Sequence, residues 1–327
     1  MRPYSGLEKE PSIIMNRCII SKESDPYYNL ALEEELLRNV DDDEIIFYLW
    51  QNYRTVVIGR NQNPFLECDI DRMNAEGARL ARRISGGGAV YHDLGNLNFT
   101  FISKEKSSDI KRQIEVIRAA VESFGINAQF SGRNDLLCDG RKFSGHAFYS
   151  EDENCFHHGT LMIDVDKSML GKLLRPSRLK LEAKGITSVK SRVVNLSEIC
   201  SNITAENMIE ALKDSFESEY GELQEYIEYS RENFIPAMTG RYSDHDWIYG
   251  ESPIYDAEIE VAADYGNFRM LAQVEDGIIK KAKIYTDSLL NFNHDEIEAE
   301  MSGTYFHEAA DILKRTIEKL HGFSMDI

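Results

Sequence analysis

The chain has 327 residues, 42% of them hydrophobic. At roughly 100–200 residues per domain this predicts two domains with buried cores and excludes a disordered chain. Lys and Arg total 37 against 56 Asp and Glu, a net charge of −19 that repels nucleic-acid backbones, so no nucleic-acid partner is expected. The five cysteines, Cys18, Cys68, Cys138, Cys155 and Cys200, form no CxxC pair and point to a reducing compartment. No apolar run approaches the ~18 residues of a transmembrane helix, and the opening stretch MRPYSGLEKEPSIIMN lacks a secretory apolar core. A cytoplasmic protein with no membrane partner is the expectation.

Asp25-Pro26 predicts a helix start, with Asp25 as N-cap and Pro26 in the first turn. Two apolar strands follow, Ile45 to Trp50 and Thr55 to Ile58. Arg79 to Ile84 alternates as a strand does, with Leu80, Arg82 and Ile84 on one face and Arg83 on the other. The triplet Gly86-Gly87-Gly88 interrupts it, and Asn96 to Ile102 is strand-like again. Asp109 to Phe124 reads as an amphipathic helix ended by Gly125. Asp139-Gly140 is a two-residue hairpin signal, and Thr160 to Val165 reads as a strand. Thr204 is placed to cap a helix running through Tyr220. Pro236, Gly240, Gly250 and Pro253 punctuate a polar stretch, which sets the expected domains at 1–245 and 246–327, with a hinge near 240–252. The second unit has strands around Asp276-Gly277 and a last helix from His307 to Leu320. Helices and strands mix irregularly, so the expected class is α+β.

The stretch Arg82-Arg83-Ile84-Ser85-Gly86-Gly87-Gly88-Ala89-Val90-Tyr91-His92-Asp93 carries the strongest chemical signal. Three glycines cost chain entropy, and what they give is backbone freedom and close approach of N–H groups to a ligand. Two arginines beside them offer forked positive charge for a phosphate or carboxylate. The reading is an anion or nucleotide cradle; the plainer alternative is a glycine turn with solvated arginines. It is neither a P-loop nor a Rossmann fingerprint: Gly171-Lys172-Leu173 lacks the required flanks, and Gly86 and Gly88 are followed by Tyr91. In the stretch 132–145, Lys142 follows the hairpin, where lysines are usually solvated. Asp135 falls on a half-buried strand, where a carboxylate needs a cation, a metal or an arginine. His157 and His158 are adjacent on a strand and point to opposite faces, which favours hydrogen-bonding roles over shared metal ligation.

The segments RRISGGGAVYHDLGNLNFTFI (82–102) and GRNDLLCDGRKFSGHAFY (132–149) resemble the lipoate–protein ligase A family, within the biotin/lipoate protein ligases. SDPYYNLALEEELL (24–37), LWQNYRTVVIGRNQNP (49–64), FHHGTLMIDVD (156–166) and LEAKGITSVKSRVVNL (181–196) extend the resemblance, in family order, over most of the first 200 residues. It implies an α+β fold, with a biotin/lipoate ligase-type catalytic domain of mixed β-sheet and flanking helices. WIYGESPIYDAEIEV and DGIIKKAKIYTDSL look like the family's small C-terminal accessory domain. The implied reaction is ATP-dependent activation of lipoate to lipoyl-AMP, then transfer to a lysine of a carrier. The implied carriers are 2-oxo-acid dehydrogenase E2 lipoyl domains and the glycine cleavage H protein, and a monomer is expected.

The motif match also implies roles. Lys142 is the catalytic residue, touching the lipoyl carbonyl and α-phosphate. Arg83 and the backbone of Gly88, Ala89, Val90 and Tyr91 bind ATP and lipoyl-AMP, Ser85 and His92 complete the pocket wall, and Asn134 with Asp135 marks a Mg²⁺–phosphate region. The closest rival is a cysteine-dependent lipoyl- or octanoyl-transferase of the same fold. A biotin ligase is disfavoured because its glycine loop differs, and no room is expected before residue 24 for a repressor domain. A non-enzymatic lipoate-binding module is the rival of a different class.

Overall fold

The computed structural model describes residues 15–131, 135–175, 193–250, 257–290 and 292–321. Strands β1 (Met15–Ser21), β2 (Glu44–Trp50), β6 (Asn96–Lys104), β7 (Gln129–Ser131), β8 (Asp135–Cys138), β9 (Arg141–Glu151), β10 (Asn154–Met162) and β11 (Glu225–Tyr229) form an eight-stranded sheet in the order β11-β1-β2-β6-β10-β9-β8-β7. It is mixed: β1 runs parallel to β2 and β11, and the remaining pairs are antiparallel. β3 (Thr55–Ile58), β4 (Arg79–Arg82) and β5 (Val90–His92) make a small sheet in the order β4-β3-β5. β12 (Ala257–Ala263), β13 (Gly266–Glu275) and β14 (Ile278–Thr286) make a third.

Both faces of the large sheet are covered, so its central strands are buried throughout; all seven residues of β2 are. On one face lie the helices Ile110–Glu122 and Ala205–Tyr220. Phe47 stacks there between Phe101 at 4.6 Å and Phe216 at 5.1 Å. Thr204 caps its helix as expected, in a capping box with Asn207, and the Asp109 carboxylate accepts from the backbone N–H groups of Lys111 and Arg112. On the other face lies helix α1 (Pro26–Arg38), with Tyr28, Leu32 and Leu36 against Ile19, Ile46, Tyr48 and Phe156. Asp25 caps it by accepting from the Tyr27 N–H.

Hairpins fall where Asp-Gly places them. Asp139 and Gly140 have φ of 50° and 71°, and Asp276 and Gly277 have 51° and 76°. A further two-residue turn, Asp152-Glu153, has φ of 50° and 69° without a glycine. It joins β9 to β10, so the strand expected at Thr160 begins at Asn154. The strand expected to reach Ile84 ends at Arg82, because the chain bends into the glycine loop. The last helix is Ala309–His321, entered through a 3-10 turn at Phe306–Glu308 rather than at His307.

The third sheet and the last two helices have their own core, including Phe268, Met270, Ile284, Ile297, Leu313 and Ile317. The short helix His245–Tyr249 belongs with the larger unit: Ile248 is buried in that unit's cores and Trp247 packs against them.

At Gly159 an added Cβ would lie 2.5 Å from Phe99 Cζ and 2.8 Å from the Gly145 carbonyl oxygen. Gly159→Ala is expected to cost about 1–3 kcal/mol by overpacking. Urea denaturation reads it as a lowered midpoint; an unchanged midpoint would mean that Phe99 moves aside freely.

Candidate active site

The glycine loop joins β4 to β5, and its two arginines are buried, each 6% exposed. Their donors go to main-chain carbonyls. The Arg83 guanidinium donates from Nη2 to Gly86 O at 2.7 Å and Gly88 O at 2.9 Å, and from Nη1 to Val57 O at 3.3 Å. Arg82 donates to Gln62 O and Ile248 O, each at 2.7 Å, to Arg60 O at 2.8 Å and to Trp247 O at 2.9 Å. Burial pushes both guanidinium groups down to about 10. Neither is the solvated arginine of the plainer sequence reading. Arg83 builds the loop, and Arg82 fastens the segment around Trp247 to the loop's base.

The glycines are required where the loop is crowded. Gly87 has φ of 92°, and a Cβ on Gly86 would stand 2.5 Å from Ser288 O. Ser288 belongs to the C-terminal unit and accepts the Gly87 N–H at 3.0 Å. The accessory unit therefore rests directly on the loop.

Arg83 Nε also donates to Ser85 Oγ at 3.0 Å, which opens a buried polar chain. Ser85 Oγ lies 2.8 Å from His158 Nε2, and His158 Nδ1 lies 2.8 Å from Glu33 Oε1 on α1. The same Glu33 oxygen accepts from Thr100 Oγ1 at 2.7 Å, and Trp50 Nε1 donates to Thr100 Oγ1 at 3.1 Å. All six residues are buried. With Glu33 as a pure acceptor, His158 Nδ1 must donate, which leaves Nε2 to accept the Ser85 hydroxyl.

One row of side chains crosses the face that α1 covers: Asp135, Gly145, Thr160, Asn98 and Trp50, on β8, β9, β10, β6 and β2. Lys142 lies over this row, its Nζ 2.6 Å from Asp135 Oδ1. It can do so because Gly145 has no side chain: a Cβ there would be 2.6 Å from that Nζ. Asp135 thus meets a cation, one of the partners its half-buried strand position demands.

His92 is buried beside Trp50, ring to ring at 6.1 Å, and burial drives its imidazole down to about 3. Val90 packs against the core under α1, whereas the Tyr91 ring points into the core behind the small sheet. Asn134 lies outside the described residues. The two adjacent histidines do face opposite ways. His157 sits under the helical face, with Nδ1 2.9 Å from Gln113 Oε1 and Nε2 2.7 Å from His146 Nδ1. Sequence reasoning did not single out Glu33, Trp50, Thr100 or Gly145 as part of the site.

Among the described residues no three His, Cys, Asp or Glu gather as metal ligands. One carboxylate, Asp135, stands beside the Lys142 ammonium. That donor set suits Mg²⁺, which takes one or two carboxylates and fills its shell with phosphate oxygens and water.

The glycine loop reaches the α1 side of the sheet through Ser85 and His158, and the Lys142 ammonium lies over Gly145 on that side. The lipoyl protein ligase A/B catalytic domain matches residues 25–217, and the bacterial lipoate protein ligase C-terminus matches residues 252–321. The chain is 38% identical over 315 residues to the lipoate-protein ligase A of Bdellovibrio bacteriovorus, covering 94% of this chain and 92% of that one. The P. falciparum LipL1 structure in complex with lipoate superposes with a TM-score of 0.76 at 28% identity, covering 95% of this chain and all (100%) of that one. A bipartite lipoate protein ligase of Thermoplasma acidophilum, studied with its E2 lipoyl domain, gives 0.64 at 25% identity over 73% and 97%. A lipoate-protein ligase A bound with ATP shares the fold at 0.64 and 24% identity over 72% and 99%. With both units matched in order along nearly the whole length, the chain belongs to the lipoate–protein ligase A family.

Proposed function

We infer that the protein is an ATP-dependent lipoate–protein ligase. It activates free lipoate to lipoyl-AMP and passes the lipoyl group to a carrier lysine. The observation that carries this reading is the Lys142 ammonium, held over Gly145 on a row of side chains that runs to Trp50, beside His92. In the first step a lipoate carboxylate oxygen bonds to the α-phosphorus of ATP, and the bond to pyrophosphate breaks. In the second, the carrier's ε-amine bonds to the acyl carbon, the bond to AMP breaks, and the amine loses a proton. Both steps build negative charge on oxygens that a compact ammonium can meet. Asp135 holds Lys142 in position until that charge arrives. Arg83 gathers the carbonyls of Gly86 and Gly88 on one side of the loop. Backbone amides in the stretch from Gly88 to Tyr91 would suit an anion. Ser85 and His92 complete the wall. Asp135 would supply one oxygen to Mg²⁺, with Asn134 beside it in sequence; such an ion neutralises phosphate charge.

The transferase alternative needs a reactive thiolate. Burial pushes the Cys138 and Cys155 thiols up, and Cys138 lies in the core under the helices. Both facts favour the ligase. The carriers we propose are E2 lipoyl domains and the glycine cleavage H protein. We propose a monomer as the working unit. No described helix is long and apolar enough to cross a membrane. The scattered free cysteines support a cytoplasmic location. Since Arg82 binds the carbonyls of Trp247 and Ile248, we assign the helix His245–Tyr249 to the larger unit and propose a domain boundary after it rather than at 245.

Lipoate-dependent exchange of pyrophosphate into ATP is the decisive assay, and a folded protein that shows none would overturn the ligase. Lys142→Ala should lower that exchange by about 10²–10³-fold, the scale for losing one charge-stabilising group, with thermal stability kept. Near-normal turnover would remove Lys142 from its role. Gly145→Ala displaces the ammonium without deleting it. Its exchange rate should fall at least about tenfold while the denaturation midpoint moves little, and a normal rate would mean that the ammonium reaches its target by another path.

A further inference from the structure

His92 carries a nitrogen that nothing among the described residues satisfies: its Nε2 is buried and has no hydrogen-bond partner there. Which kind of partner it needs follows from a second buried chain. Asn29 Nδ2 donates to the carbonyls of Glu23 at 3.0 Å and Gln51 at 2.8 Å, which fixes the orientation of its amide. Its Oδ1 accordingly accepts from Ser21 Oγ at 2.6 Å. The same Nδ2 faces Asn52 Oδ1 at 3.0 Å, so Asn52 must turn its own nitrogen away, toward His92 Nδ1 at 3.3 Å. An amide N–H only donates, so Nδ1 is the bare nitrogen and Nε2 carries the proton. Burial, with Arg83 and His158 nearby, drives the ring down to about 3, so it stays neutral at working pH. His92 is therefore a fixed, uncharged donor. Leaving such a donor unmet is unfavourable, and a ligand acceptor relieves it.

Its place in the site says which acceptor. The row that Lys142 overlies at Gly145 ends at Trp50, three strand spacings or roughly 14 Å away. His92 stands against Trp50, at the far end from the ammonium. An acyl group with its carboxyl carbon at Lys142 and its chain along the row brings its tail, not its carboxylate, to His92. In lipoate that tail is a dithiolane, whose sulfurs are weak acceptors; in octanoate it is a methyl group, which accepts nothing.

We propose that His92 is a specificity-determining residue, donating its Nε2–H to a dithiolane sulfur so that the enzyme selects lipoate over a saturated acyl chain of equal length. Asn52 and Asn29 are its positioning residues. The proposal rests on the ligase reading above.

The test compares kcat/KM for lipoate and octanoate in pyrophosphate exchange. The wild type favours lipoate, and His92→Phe lowers the lipoate-to-octanoate ratio about tenfold, the scale of one hydrogen bond. Asn52→Asp, which forces the proton onto Nδ1, lowers the ratio in the same direction. A ratio unchanged in both variants, or a wild type without preference, overturns the proposal. Should the variants fail to fold, ¹⁵N NMR of histidine-labelled wild type decides. Protonated Nε2, shifted by lipoate and not by octanoate, supports the assignment; protonated Nδ1, or equal shifts with both acids, overturns it. A failed ligase reading shows separately, as no exchange with either acid, while calorimetric titration of the two acids still reads the preference.

Discussion

The site depends on how one buried charge is balanced. Arg83 sits under the glycine loop with no carboxylate in contact among the described residues, and an unpaired guanidinium there would be costly. Its counter-charge is Glu33, reached through Ser85 and His158. The bridge distributes the pair over four side chains and ties three elements together: the loop, β10 and α1. Removing one end leaves the other buried and unmatched, a situation that costs about 3–5 kcal/mol in buried ion pairs. The loop's shape, the position of α1 and the covered row beneath it are consequences of the same chain.

Room for chemistry comes from missing side chains. Gly145 leaves space on the α1 face, where the Lys142 ammonium lies. Gly159, on the neighbouring strand, leaves space on the other face, where Phe99 fills the core. Two glycines paired in this way let the sheet pack an aromatic ring on one face and hold an ammonium on the other. The stretch from Lys142 to the β10 histidines therefore carries both a core and a site, with His146 and His157 neutral and hydrogen-bonded on the core side.

Much of this was legible. Asp25, Asp109 and Thr204 mark their helices because each satisfies N–H groups that the helix itself leaves bare. The Asp-Gly turns are legible because positive φ has few residue choices. The Asp152-Glu153 turn was not, since it adopts positive φ without glycine, and the onset of β10 was misplaced with it. Glu33 was hidden for another reason. A run of three glutamates reads as a solvated helix face, yet Glu33 and Glu34 are buried because α1 is enclosed on nearly every side. Its partner His158 lies 125 residues away, beyond the reach of any local pattern. The sequence points Arg83 at a ligand because arginines beside glycines suit anions; the donors it also gives to the carbonyls of Val57, Gly86 and Gly88 have no signature in side-chain order.

A net charge of −19 stands in apparent conflict with a site for two anionic substrates. The geometry removes the conflict by keeping the positive charge local. Arg82 and Arg83 are withdrawn from solvent and saturated by carbonyls, so they contribute little field at the surface. Lys142 is paired with Asp135 until a stronger claim on its charge arrives. At physiological salt the field of distant surface carboxylates is screened beyond about 8 Å, so a nucleotide inside the site senses loop amides and one ammonium rather than the whole protein. A diffuse basic patch would instead attract polyanions of every kind. Selectivity for a small acyl nucleotide follows from placing few charges, each already engaged, where only the right ligand offers them something better.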